Sequence, residues 1–111
     1  MTVDLYRDLQ KKTQQLEYSV KSIAENKKKY AQAERDYKIL LRKTCLQMRA
    51  DGYPIGLIDK CCYGVPEVAE ARLRRDIAEG VVESNMEAIN MIKLQLRIIN
   101  DQIAREWGHN G

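Results

Sequence analysis

From Val3 to Ala50 the chain contains neither proline nor glycine. Those residues interrupt helices, one by lacking an N–H and fixing φ, the other through its conformational freedom. A helix over this stretch would be about 48 residues and roughly 72 Å long at 1.5 Å per residue. A seven-residue repeat runs through it. Leu9, Leu16, Ile23, Tyr30, Tyr37 and Thr44 share one position, and Tyr6, Thr13, Val20, Lys27, Glu34, Leu41 and Met48 share a second. This pattern predicts a coiled-coil seam interrupted by Lys27 and Glu34. A lone helix cannot bury its own seam, so a partner helix is required.

The partner follows in the same chain. Asp51-Gly52 stops the first helix, and Tyr53-Pro54 prevents immediate re-entry. Ile55 to Cys62 has room for about two helical turns, and Gly64 closes them. Pro66 opens the second long helix, with Glu67 in its first turn. Val82, Ile89, Leu96 and Ile103 recur every seven residues, joined by Ala78, Ile92 and Ile99, up to a stop at Trp107-Gly108. Gly80 in mid-helix costs stability and suggests a close backbone approach. The expectation is an all-α fold in a single domain spanning 1–111: a long antiparallel, coiled-coil-like helical hairpin. Its parts are a helix over 3–50, a short helical elbow over 51–65 and a helix over 66–107. Aligning Ala50 with Pro66 sets residue i opposite residue 116 − i, with Trp107 near Leu9 and Tyr6. Leu73, Ile77, Met91, Leu94 and Ile98 lie off the second helix's stripe, leaving an apolar face wider than one partner helix covers. That surplus suggests a homodimer forming a four-helix bundle, or a docking face for another protein.

Composition narrows the function classes. The 111 residues include 19 Lys and Arg against 16 Asp and Glu, for a net charge of +3, and 44% are apolar. No run of about 18 apolar residues offers a membrane span. Asp4, Arg7 and Asp8 stand where a secretion signal would need an apolar core. Cys45, Cys61 and Cys62 lack the spacing of a disulfide framework, and reduced thiols in a cytosolic compartment are expected. Adjacent cysteines cannot both face one metal ion, and the single histidine, His109, lies in the terminal tail, so no metal site is expected. No glycine-rich phosphate loop and no carboxylate pair in an apolar setting is present, and no candidate base other than lysine or tyrosine stands near the thiols. The expectation is a protein that is not an enzyme and takes no cofactor.

Charge is unevenly spread. Residues 1–50 carry a net +6 and residues 51–111 a net −3. Arg7, Lys21, Lys28, Arg35, Arg42 and Arg49 share one heptad position, broken only by Gln14, which presents a cation about every 10 Å along one side. The binding reading takes Lys21, Lys28, Arg35, Arg42 and Arg49 as a track for nucleic acid or an acidic protein. The plainer reading is a solvated face, with Lys29, Arg35 and Lys38 paired across the hairpin to Asp76, Glu79, Glu83 and Glu87. The absence of interleaved aromatics argues against a stacking platform for single strands. At the elbow, Tyr53, Ile55, Leu57, Ile58 and Tyr63 are expected to cap the open end of the bundle, the alternative being an exposed docking tip. A helix-turn-helix outline there is disfavoured for DNA reading, because Glu67 and Glu70 would face phosphates.

Arg49 to Ile55, Val68-Ala69, Arg75 to Glu79, Ala88-Ile89-Asn90, Lys93, Leu96-Arg97 and Gln102 to Gly108 together resemble small helical accessory proteins of phages and prophages of Gram-positive bacteria. The resemblance implies a protein made in the host cytoplasm that binds a host nuclease or defence complex, as anti-CRISPR and nuclease-inhibitor proteins do. It assigns no site residues. Competing expectations are direct nucleic-acid binding in phage recombination, replication or regulation, and a structural bundle-forming module.

Overall fold

A computed structural model describes residues 2–110, with side chains from 3 to 108, so the side chain of His109 lies outside the described residues. The chain is helical almost throughout: α1 (Thr2–Ala50), α2 (Ile55–Cys61), a 3₁₀ turn (Cys62–Gly64) and α3 (Pro66–Asn110). Among the described residues there is no strand. Helix α3 runs through Trp107 and Gly108 instead of stopping there. No proline follows Gly108 to prevent continuation.

Helix α1 ends in a Schellman motif. Gly52 takes φ +91°, its N–H donates to the Arg49 carbonyl at 3.1 Å, and the Tyr53 N–H donates to the Met48 carbonyl at 3.1 Å. Pro54, extended at φ −61° and ψ 143°, starts α2 by accepting from the Leu57 and Ile58 N–H groups. Val65, also extended, accepts from Ala69, and Pro66 takes the first helical position of α3.

The chain divides into two compact units. One joins α1 up to Glu25 with α3 from Glu83 onward, and the other is Asn26–Val82. In each, α1 packs antiparallel against α3. In the Asn26–Val82 unit, Tyr37, Val68 and Ala71 are buried together, flanked by Leu40, Leu41 and Val65. Ile58 and Cys62 are buried in the same unit. In the other unit the buried residues are Ile89, Ile92 and Ile103.

The seam of α3 follows the expected stripe and extends it toward the elbow. Val68, Ala71, Arg75, Ala78, Val82, Asn85, Ile89, Ile92, Leu96, Ile99, Ile103 and Glu106 are all at least half-buried, at alternating spacings of three and four. On α1 one seam position holds and the other does not. Leu9, Leu16, Ile23, Tyr30, Tyr37 and Thr44 face inward, but Tyr6, Thr13, Val20 and Lys27 are exposed. Their place is taken by Leu5, Lys12, Ser19, Asn26, Ala33 and Leu40, one residue back in the heptad. Only toward the end of α1 do Glu34, Leu41 and Met48 become half-buried. An α-helix drifts about 20° per heptad against a strict 3.5 repeat, which moves the covered side from the first column to the second.

The register also differs from expectation. Aligning Ala50 with Pro66 would set Tyr37 opposite Glu79, whereas it packs on Val68 and Ala71. The cause is at the elbow. Its 3₁₀ turn brings the Cys62 thiol against Cys45, so the last turns of α1 are matched by the elbow and α3 begins its match nearer Leu41. In the unit holding both termini, Asn85 Nδ2 donates to the Ser19 carbonyl at 3.0 Å. The expected approach of Trp107 to Tyr6 is present, with Nε1 donating to the tyrosine hydroxyl at 3.3 Å. Gly80 approaches no backbone: nothing lies within 4 Å of where its Cβ would be.

These assignments predict opposite outcomes for two valines. Val68→Ala empties a fully buried site and should cost about 2 kcal/mol, lowering Tm by roughly 8 °C. Val20→Ala, at an exposed position, should change Tm by less than about 2 °C. Thermal unfolding followed by circular dichroism checks both, and a large loss at Val20 would restore the seam first read from the sequence.

Candidate binding surfaces

Where Leu9, Leu5 and their heptad equivalents form the seam of α1, the position holding Arg7, Lys21, Lys28 and Arg35 lies opposite it, and near Leu41 and Met48, where the covered side has shifted, Arg42 and Arg49 still stand on the outward side. All six are exposed. Of the three cations expected to pair across the hairpin, Lys29, Arg35 and Lys38, none makes an ion pair with α3 among the described residues, and Arg35 stands in the row on the outward side. Arg35 bonds instead to Asp36 on its own helix, with NH2 at 3.1 Å from Oδ1, and Lys38 pairs with Glu34 at 3.2 Å. Lys28, Arg42 and Arg49 have no carboxylate within 4 Å among the described residues, and neither do Arg7 and Lys21 in the other unit. Lys29 is likewise without an ion pair. The cross-helix ion pair that does form uses a residue the sequence reading had not singled out. Arg75, at a seam position of α3, stacks over Tyr37 at 4.6 Å, reaches Glu34 at 3.6 Å and bonds Asp76 Oδ1 at 2.8 Å. The Asp76 hydrogen bond, above all, raises the Arg75 pKa.

Two aliphatic residues share the outer face with the row in the Asn26–Val82 unit. Ile39 and Leu46 are each 59% exposed. Ile39 lies four residues after Arg35 and three before Arg42, and Leu46 has the same relation to Arg42 and Arg49. Residues three and four apart are neighbours on a helix surface. Arginine and aliphatic side chains therefore alternate over the last four turns of α1. Both aliphatics fell outside the two heptad columns first assigned to the seam. In the other unit Tyr18, 74% exposed, stands three residues before Lys21, an aromatic beside the basic row that the sequence reading passed over.

The five off-stripe residues of α3 are exposed as expected. Leu73 and Ile77 are in one unit, and Met91, Leu94 and Ile98 in the other. The elbow is a different matter. Ile58 is buried, whereas Tyr53, Ile55, Leu57 and Tyr63 are exposed. A helix of seven residues offers one inward face, which Ile58 takes, and Cys62, four residues on in the 3₁₀ turn, is buried too. Tyr63 carries the Arg72 guanidinium 5.6 Å from its ring centroid.

The cysteines differ in exposure. Cys61 is exposed, Cys45 half-buried and Cys62 buried. Burial pushes the Cys62 thiol above its usual range, and its hydrogen bond with Cys45 acts in the same direction. Since the thiolate is the reactive form, maleimide labelling near pH 8 should modify Cys61 at least about tenfold faster than Cys62. Mass mapping of the labelled peptides measures this, and equal rates would mean that the elbow opens freely.

Among the described residues no group of three His, Cys, Asp or Glu side chains is arranged to hold a metal ion, and no helix is long and apolar enough to cross a membrane. No protein-family model matches this sequence, and no curated protein or solved structure matches it.

Proposed function

We propose that this chain is a non-enzymatic binding protein that docks, through the outer face of α1 from Lys28 to Arg49, on a protein that handles nucleic acid and thereby inhibits or modulates it. The observation that carries this reading is the alternation of Arg35, Arg42 and Arg49 with exposed Ile39 and Leu46. Cations alone would suit any polyanion. Aliphatic residues between them gain only from a surface that buries them, at about 25 cal/mol per Å² of apolar area removed from water. A protein surface of mixed acidic and apolar character supplies both. Proteins that work on nucleic acid, such as a host nuclease or defence complex, are the class implied by the resemblance to phage accessory proteins. The host cytoplasm is where such a partner would be met.

Direct nucleic-acid binding is the second reading, favoured by the unpaired heads of Lys28, Arg42 and Arg49. It predicts affinity that falls steeply with salt as counterions are released, and indifference to Ile39 and Leu46.

Two double variants separate these readings. Arg35→Glu with Arg42→Glu should abolish either complex. Ile39→Ser with Leu46→Ser should weaken a protein complex by roughly 10- to 100-fold and leave nucleic-acid binding unchanged. Capture from a Gram-positive bacterial lysate, quantified by mass spectrometry for wild type and both variants, reads the first outcome. Fluorescence anisotropy with duplex DNA, single-stranded DNA and RNA at about 50 and 200 mM salt reads the second. Tight, salt-sensitive nucleic-acid binding untouched by the serine variant would overturn the protein-partner reading.

A further inference from the structure

Within the Asn26–Val82 unit, α1 and α3 leave a groove along one side of their seam. Two adjoining clefts occupy it, of about 230 and 260 Å³, and Lys29 of α1 and Arg74 of α3 line both. The first also has Gln32 and Asp36 beside Ala33 and Ala71, and the second has Ile77, Ala78 and Val81. Alanines at the seam positions 33, 71 and 78 leave open the space that larger side chains would fill.

The charges of the groove are the unexplained feature. Residues that flank a seam on facing helices ordinarily carry opposite charges. Here both are cations. Aligning Ala50 with Pro66 would set Lys29 opposite Glu87, whereas the register that puts Tyr37 on Val68 and Ala71 gives it Arg74. Both cations are exposed, and neither has a carboxylate within 4 Å among the described residues. Glu70, one turn before Arg74 and in the order that favours an i, i+4 pair, does not close on it. Asp36, the acid of the groove, is held by Arg35, whose Nε and Nη2 donate to Oδ1 at 3.2 and 3.1 Å. Two like charges on one groove repel, and an anion between them turns that repulsion into attraction.

We infer that this groove binds a small-molecule phosphate monoester, with the phosphate between Lys29 and Arg74 and the apolar body on Ile77, Ala78 and Val81. A phosphate monoester carries about −1.5 to −2 charges at pH 7, which matches two cations, whereas a carboxylate leaves one unmatched. Arg74 offers a planar fork to two oxygens and Lys29 a point charge to the third. Gln32 adds an amide donor beside them. The body is small, because each cleft falls below the roughly 300–1,000 Å³ of sites for drug-sized ligands. Exposed Ile77 and Val81 gain from covering it, which favours an ester over inorganic phosphate. The site is independent of the partner proposed for the outer face of α1, whose basic row it does not use.

Phenyl phosphate, titrated into the ¹⁵N-labelled chain and followed by NMR, tests the inference. Wild type should bind it with a dissociation constant of about 1 mM or tighter, with shifts centred on Lys29, Arg74 and Ile77. Inorganic phosphate should bind at least about fivefold more weakly. Lys29→Ala and Arg74→Ala should each weaken phenyl phosphate by at least about tenfold. Lys43→Ala, which removes another exposed cation of α1 in the same unit, should leave it unchanged. Ile77→Ser should erase the preference for the ester over inorganic phosphate. Lys29→Glu tests the repulsion without ligand and should raise Tm by about 2 °C, with circular dichroism confirming that each variant keeps its helix content. No saturable binding up to about 10 mM would overturn the inference, as would equal losses for Lys29→Ala and Lys43→Ala, or a fall in Tm for Lys29→Glu. A phosphotyrosine peptide that bound at least about tenfold tighter than phenyl phosphate would also overturn it, by making the groove a peptide site.

Discussion

The seam of α3 is narrow, and that narrowness governs the rest of the chain. A strict alternation of three and four from Val68 to Glu106 buries one edge of a helix and no more, because two columns of a heptad occupy only a thin sector of its surface. Val68 is the only large side chain buried completely among the described residues. Every other decision follows from spending so little surface on the core. The cations of α1 are free to stand on its far side, and the aliphatic residues of both helices that miss the seam have nowhere inside to go.

A narrow apolar seam holds two helices together but says little about their register, since sliding by one heptad returns leucine to isoleucine. Polar residues inside the seam supply the missing specificity. Asn85 gives a hydrogen to the Ser19 carbonyl in a half-buried place, a bond that ties α3 to α1 at that point. Arg75 does the same in the other unit, with its charge held between Glu34 and Asp76 and its plane on Tyr37. A shifted register would keep the Asp76 bond, which lies within α3, but would cost this arginine Glu34 and the Tyr37 ring. These contacts make the polar interruptions of the repeat its addresses.

How much of this was legible in the sequence depended on the kind of signal. The helices, the glycine stop at Gly52 and the proline start at Pro66 rest on local backbone chemistry, which a sequence displays directly. The stripe of α3 was legible because Ile89, Leu96 and Ile103 leave no rival column. On α1, Tyr6, Val20, Leu41 and Met48 are as apolar as Leu5 and Leu40, so two adjacent columns competed, and composition favoured the wrong one at the N-terminal end. The error propagated. It turned the basic row from an outermost face into a flank within reach of α3, and it hid Ile39 and Leu46. Register was illegible for a different reason. It depends on how the elbow packs, through Ile58 and Cys62, and tertiary packing of one short helix leaves no periodic trace.

The surfaces outside the seam carry as many large apolar side chains as the seam and elbow cover, and their distribution is not that of a solvated coiled coil. A helix face meant only for water is filled with lysine and glutamate, which are good helix formers and soluble. Here Ile39, Leu46, Leu73, Ile77, Met91, Leu94 and Ile98 hold such positions, and Gly80 occupies another at a cost in helix stability. Singly exposed apolar residues are ordinary. Residues recurring at spacings of three and four on the side away from the core repeat the same pattern that built the seam. A partner that bound only the folded form would add to its stability by mass action.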